Sequence, residues 1–195
     1  MTDADADDVP EPIREDPHLG PLVEEHGPVT VDSHDDPFAR LVTSVVNQQL
    51  STRSAAAIRD RLFERFDVTP AGVAAADPDA LRETGLSGQK VEYLKHAADA
   101  FQERELSPTA LADHSDEEAV DLLTEIRGVG EWTAHMYLIF VCGREDVFPV
   151  GDLGVRKGMC ELFDAELSRA EMVERASAWR PYRSYAALYL WRAYD

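Results

Sequence analysis

From Pro37 onward, apolar residues recur every three to four positions, and few stretches alternate as a half-buried strand would. This period predicts an all-α protein. A helix over 37–49 carries Phe38, Leu41, Val42, Val45 and Val46 on one face, and a second over 52–66 carries Ala56, Ile58, Leu62, Phe63 and Phe66. The two are expected to pack as a hairpin. Further helices are expected at 78–84, 88–104, 116–125, 131–142, 153–163, 169–179 and 182–194. Two of the starts carry full capping chemistry: Ser115-Asp-Glu-Glu118 and Ser168-Arg-Ala-Glu171 each place a serine at the N-cap and a glutamate three residues later, so that each satisfies an amide of the other.

Residues 1–17 are acidic, rich in proline and poor in apolar side chains, so their burial would not offset the entropy of ordering them. They are expected to form a flexible acidic arm, with 18–195 as one compact domain or two small helical lobes around a shared cleft. No apolar run approaches the roughly 20 residues of a membrane helix. The N-terminus is acidic where a secretory signal would be basic, so a cytoplasmic protein with no membrane partner is expected. Cys142 and Cys160 are too few for a four-cysteine metal or iron-sulfur site, and the six histidines include no His-x-x-x-His pair. No metal and no cofactor is expected, and the one alternative left open is a structural monovalent cation at the glycine hairpin described next.

That hairpin lies in Leu122-Leu-Thr-Glu-Ile-Arg-Gly-Val-Gly-Glu-Trp-Thr-Ala134. A helix ends near Ile126, Gly128-Val129-Gly130 turns sharply, and a second helix begins with its amides exposed. Without side chains, Gly128 and Gly130 let the backbone approach a phosphate, while the helix N-terminus supplies N–H donors and a favourable dipole. Val129 would anchor the turn. An ordinary helical hairpin is the plainer reading. It is the one favoured for the fainter echo at Glu83-Thr-Gly-Leu-Ser-Gly-Gln-Lys90, where glycine simply ends a helix.

Asp152 stands twenty residues beyond Trp132, in the otherwise apolar run Val147-Phe-Pro-Val-Gly-Asp-Leu-Gly-Val155 and at an expected helix N-cap. A capping carboxylate is fixed in orientation, so capping and chemistry are compatible roles.

The formal charge changes the picture, because 38 acidic against 19 basic residues gives −19, the wrong sign for a phosphate-binding surface. Either the protein avoids nucleic acid or it is adapted to very high salt, where such charge is screened within a few ångströms. Only Lys90, Lys95 and Lys157 among the bases are lysines, and the acidic excess runs along the whole chain. A halophilic source is therefore expected. Oriented backbone donors at a glycine hairpin suit such a protein, since they need little side-chain charge.

Four ordered segments resemble the helix-hairpin-helix DNA glycosylase superfamily, and most closely its DNA-3-methyladenine glycosylase II branch: Asn47-Gln-Gln-Leu-Ser51, Ile126-Arg-Gly-Val-Gly-Glu-Trp-Thr-Ala134, Val147-Phe-Pro-Val-Gly-Asp152, and Trp179-Arg-Pro-Tyr-Arg-Ser-Tyr185 leading to Leu190-Trp191. The resemblance spans about 37–194 and implies two helical lobes around a DNA-binding cleft. It implies that Asp152 is the catalytic carboxylate, which suits an N-glycosidic bond whose cleavage builds positive charge on the sugar. It implies a base pocket with Trp191, Met136 and, more weakly, Trp132, although an aromatic on a terminal helix is also an ordinary core residue. DNA contact at the hairpin would fall to Arg127, Gly128, Val129 and Gly130. At the corresponding helix end, Gln48, Gln49, Leu50 or Ser51 would fill the gap left by the flipped base or touch the DNA, with helix capping as the plainer role of Ser51. Phosphates would meet Arg156, Lys157, Arg180 or Arg183, each of which could equally be a solvated surface charge.

Bifunctional relatives carry a lysine just after the hairpin's second glycine, where this chain has Glu131 and Trp132. The expectation is a monomeric, monofunctional enzyme of base-excision repair, acting on double-stranded DNA and releasing alkylated purines of the 3-methyladenine type. The alternatives are a glycosylase for uracil or for deaminated or oxidised purines, or a non-catalytic DNA-binding hairpin module. Two departures stand out. Gly151 replaces the first of the two adjacent acids that many members carry, and about 36 residues precede the first predicted helix, too few for the β-rich domain of longer relatives, so a compact form is expected.

Overall fold

The computed structural model describes residues 9–194, and among these there is no β-strand. In chain order the helices are α1 (Glu11–Arg14), α2 (Leu19–His26), α3 (Pro37–Asn47), α4 (Thr52–Arg65), α5 (Pro70–Ala75), α6 (Pro78–Arg82), α7 (Gly88–Glu103), α8 (Pro108–Leu111), α9 (Asp116–Thr124), α10 (Glu131–Phe140), α11 (Leu153–Leu162), α12 (Arg169–Ala176) and α13 (Arg183–Tyr194). A 3-10 turn, Ser177–Trp179, extends α12. Each helix read from periodicity is present, within a few residues of its expected ends. Both capping boxes are formed, with Ser115 and Glu118 on α9 and Ser168 and Glu171 on α12. Periodicity missed α5 and α8. Each is too short to show a period, and each starts from a Thr or Ser cap followed by proline. The chain divides into two units: one is Ser33–Cys142, and the other joins the described residues up to Asp32 to those from Gly143 onward.

In the Ser33–Cys142 unit, α3 packs against α4, α7 and α10, and α7 also carries α5. Phe38, Leu41, Val42, Val45 and Val46 are buried as expected. The face of α4 is corrected: Ala55, Ile58 and Leu62 point inward, whereas Phe63 is 43% exposed, because the buried stripe follows the 55–58–62 spacing. Phe101 bridges Phe38 and Tyr137 by edge-on ring contacts. The Tyr137 hydroxyl, inside this core, donates to the Leu106 carbonyl at 2.6 Å. Two of the three lysines close helix C-termini. Lys90 donates to the carbonyls of Val46 (2.6 Å) and Gln48 (2.8 Å) at the end of α3, and Lys95 donates to those of Ala74 and Ala76 at the end of α5. A compact ammonium with several donors suits such a cluster of carbonyls, which accounts for lysine at these two positions.

The second unit corrects the expected arm. Residues 1–8 lie outside the described residues, but from Val9 the chain is anchored by buried side chains, with Val9 1% and Ile13 0% exposed. Asp16 Oδ1 caps α2 by accepting from the Leu19 amide at 2.9 Å, and Oδ2 accepts from the Trp179 indole at 3.0 Å. A few well-spaced apolar residues and one doubly used carboxylate are enough, where average composition suggested none. In the same unit α11 crosses α13 closely. A Cβ at Gly158 would lie 2.6 Å from the Leu190 carbonyl oxygen, so the crossing requires glycine.

Candidate functional site

In the Ser33–Cys142 unit the glycine hairpin joins α9 to α10. Gly128 adopts φ +97°, and a Cβ there would fall 2.1 Å from Cγ of Tyr93, so both conformation and packing demand glycine. Val129 is buried beneath the turn. Gly130 forms the N-cap of α10 with no side-chain cap, and a Cβ on it would meet nothing within 4 Å. The outer side of the turn is therefore open to a ligand approaching the backbone. The charge of Arg127 is opposed by Glu92 at 3.4 Å. The echo at Gly85 is a plain helix end, with φ +103° just before the Ser87 cap of α7.

The segment Gln48–Ser51 is tied to the hairpin. The Gln48 side-chain amide donates to the Gly128 carbonyl at 3.0 Å and to the Thr133 hydroxyl at 2.9 Å, while Lys90 grips the Gln48 carbonyl from behind. Gln48 thus holds the hairpin, and Ser51 caps α4 by accepting from the Ser54 amide. Gln49, with φ +57°, and Leu50, which is 39% exposed, project from the turn between them. These two are the side chains of this segment placed to reach a ligand.

In the second unit Asp152 is the N-cap of α11. Its Oδ1 accepts from the Val155 amide at 2.9 Å and from the Trp191 indole N–H at 2.7 Å. Gly154 makes room for this arrangement, since a Cβ there would sit 2.8 Å from Trp191 Cδ1 and 3.1 Å from Asp152 Oδ1. Gly151 is under no such constraint. The carboxylate is partly exposed and held in one orientation by two donors, one 3 and the other 39 residues further along the chain. Such an anion can stabilise developing positive charge without reorganising. Among the described residues, no group of three or more His, Cys, Asp or Glu could hold a metal ion.

The loop ahead of Asp152 is fastened to the start of α13. Ser184 donates to the Arg144 carbonyl at 2.6 Å, its oxygen accepts the Val147 amide at 3.0 Å, and the Tyr185 hydroxyl donates to Glu145 at 3.0 Å. Arg183 completes the fastening. Its Nε and Nη2 reach the Asp146 carboxylate at 2.7 and 3.0 Å and Nη2 also reaches the Asp146 carbonyl, leaving the side chain 12% exposed. The Nε and Nη2 donors of Arg183 are thus engaged inside the unit, which argues for a bracing role here beside the phosphate contact expected of it. Arg180 shares Asp146 at 3.2 Å but is exposed, Arg156 leans on the Asp152 carbonyl, and Lys157 is exposed. Trp132 and Met136 lie on α10 of the other unit, Trp132 partly exposed and Met136 buried.

A family model for HhH-GPD superfamily base excision DNA repair proteins matches residues 42–181. The chain belongs to that superfamily. It is 33% identical over 168 residues to DNA-3-methyladenine glycosylase 1 of Schizosaccharomyces pombe, covering 80% of this chain and 72% of that protein. It is 32% identical over 168 residues to DNA-3-methyladenine glycosylase 2 of Escherichia coli, covering 80% of this chain and 57% of that protein. It spans 66% of the length of another relative, YfjP of Bacillus subtilis. Among solved structures, the S. pombe 3-methyladenine DNA glycosylase Mag1 in complex with abasic DNA matches with a TM-score of 0.81 at 30% identity, covering 91% of each chain.

Proposed function

We propose that this protein is a monofunctional DNA N-glycosylase of base-excision repair that releases alkylated purines of the 3-methyladenine type from double-stranded DNA. The observation that carries the reading is Asp152, a partly exposed carboxylate fixed by the Val155 amide and the Trp191 indole, in a chain of this superfamily. As the N-glycosidic bond breaks, its electron pair leaves with the base and the sugar becomes oxocarbenium-like. The Asp152 carboxylate stabilises that charge and orients the water that adds at the anomeric carbon. An N3- or N7-alkylated purine is already cationic and departs without a protonating acid. The partly exposed ring of Trp191 offers such a base an aromatic face next to the carboxylate.

Base release requires the nucleotide to leave the stack, and we read Leu50 or Gln49, the exposed side chains of the turn after α3, as the filler of the gap. The open amide end of α10 at Gly130 takes a backbone phosphate. Glu131 and Trp132 follow the hairpin where a lyase would need an amine, so the product is an intact strand with an abasic site. The charge of −19 reflects adaptation to high salt. We read the enzyme as a monomer. No described helix is long and apolar enough to cross a membrane.

A panel of duplexes carrying alkylated, deaminated or oxidised bases, assayed at high KCl with and without alkali, tests this reading. The expected result is strand scission on alkylated purines only after alkali. Scission without alkali contradicts monofunctionality, and preferential release of uracil or an oxidised purine replaces the proposed substrate.

A further inference from the structure

Charge is unevenly distributed within the unit that carries the hairpin. Acidic residues number 38 of 195 in the chain, yet none occurs from Pro37 to Arg59, a stretch that includes Arg40, Arg53 and Arg59. This stretch is α3, the turn at Gln48–Ser51 and the first half of α4. Elsewhere in the unit arginines are engaged: Arg65 with Glu83 (2.8 Å), Arg82 with Asp79 (2.7 Å), Arg104 with Glu125, Arg127 with Glu92, and Arg61 with the Thr84 carbonyl. Arg40, Arg53 and Arg59 make no ion pair with any described carboxylate. In a chain with two acids for every base, that requires an explanation.

The three are also placed. Arg59 donates to Asn47 Oδ1 at 2.9 Å, which fixes it beside the last residue of α3. Arg40 lies with its guanidinium carbon 4.7 Å from the centre of the Phe140 ring, and burial together with the nearby charge of Arg59 lowers its pKa. Arg53 is exposed on the first turn of α4, two residues beyond the Ser51 cap. Two neighbouring cations without a counter-ion repel one another, and an anion brought to them relieves that repulsion. The helices of 11 and 14 residues are each about 16–21 Å long, enough to run past several phosphates of a duplex strand. They also join directly to the Gln49–Leu50 turn, and Gln48 bonds the Gly128 carbonyl of the glycine hairpin.

We propose that the α3–α4 hairpin is a DNA-backbone surface, on which Arg53 and Arg59 each neutralise a phosphate and Arg40 reinforces the field at Arg59. It rests on the DNA-glycosylase reading and extends it to phosphate contacts other than the expected Arg127, Arg156, Lys157 and Arg180. The absence of acids here is the signal, since an acidic surface next to the turn would repel the strand that the turn must enter.

The test is the salt dependence of binding to an abasic duplex by the full chain, for the wild type, Arg53→Gln, Arg59→Gln, the double variant, Arg59→Lys and the control Arg65→Gln. Each neutralisation is expected to weaken binding several-fold and to reduce the slope of log K against log[KCl] by about 0.9, with the double variant losing about twice that. Arg59→Lys should keep the wild-type slope, as should Arg65→Gln. Weaker binding with an unchanged slope would mean that Arg59 only braces Asn47, and it overturns the proposal. So do variants that bind like the wild type. A wild type that neither binds abasic DNA nor releases any base overturns the glycosylase reading itself, and this proposal with it.

Discussion

Trp191 donates its indole N–H to Asp152 at 2.7 Å, to the same oxygen that accepts the Val155 amide. The carboxylate is thus oriented both by the helix it caps and by a side chain from α13. A hydrogen bond to a charged group contributes about 1.5–3 kcal/mol. Trp191→Phe keeps an aromatic ring and removes the donor. Single-turnover base release should slow by about 10–100-fold, while binding to abasic DNA stays within a few-fold. Equal loss of binding and rate would place Trp191 in the packing alone.

The two hairpin glycines should respond differently to alanine. Gly128→Ala drives a methyl group into Tyr93 at a left-handed φ of +97°, and should cost about 2–4 kcal/mol of stability in denaturant unfolding. Gly130→Ala meets no protein atom and should leave stability within about 1 kcal/mol. Its methyl group, however, stands where a phosphate would approach, so abasic-DNA affinity should fall by at least tenfold. Unchanged affinity would remove the α10 N-terminus from the binding surface.

Arg183→Ala should behave as a stability variant. The Asp146 carboxylate would lose its bidentate partner in a largely enclosed setting, at a cost of about 2–4 kcal/mol. The salt slope of DNA binding by the folded fraction should not change. A reduced slope with normal stability would favour the phosphate role.

His135, on α10, supplies a pH prediction. Burial pushes its imidazole below the ordinary 6.5, more than nearby Glu131 and Asp116 raise it. The unfolded chain therefore binds a proton here more readily than the folded one. Stability should be full above about pH 6.5 and fall as the pH drops toward the folded-state value. Thermal melts between pH 5 and 8 should show this decline, and His135→Gln should flatten it.

The helical order of the chain is legible because most of its helices are long enough to show a period and are marked by Ser, Thr or Asp caps. α1 and α2 were hidden by composition: a few buried side chains, among them Val9, Ile13, Leu19 and Val23, order a segment whose other residues are mostly acidic or polar. At the site, Asp152 and the Gly128–Gly130 turn stand out locally, since a cap and a glycine pair are short-range features. What does not show is partnership at a distance. Gln48 and Gly128 are 80 residues apart, Arg183 and Asp146 are 37 apart, and nothing in either segment names the other. Proximity to a motif consequently drew attention to Arg183, whereas the missing acids between Pro37 and Arg59 are plain in the sequence once absence is counted as a signal.

The most direct test of the account is Asp152→Asn assayed on a duplex carrying a 3- or 7-alkylated purine. The amide retains an oxygen for Val155 and Trp191 but loses the negative charge. Base release should fall by at least about 10³-fold, in line with removal of a preorganised charge from the transition state, while abasic-DNA binding persists within a few-fold. Base release at close to the wild-type rate would contradict the assignment of Asp152 as the catalytic carboxylate.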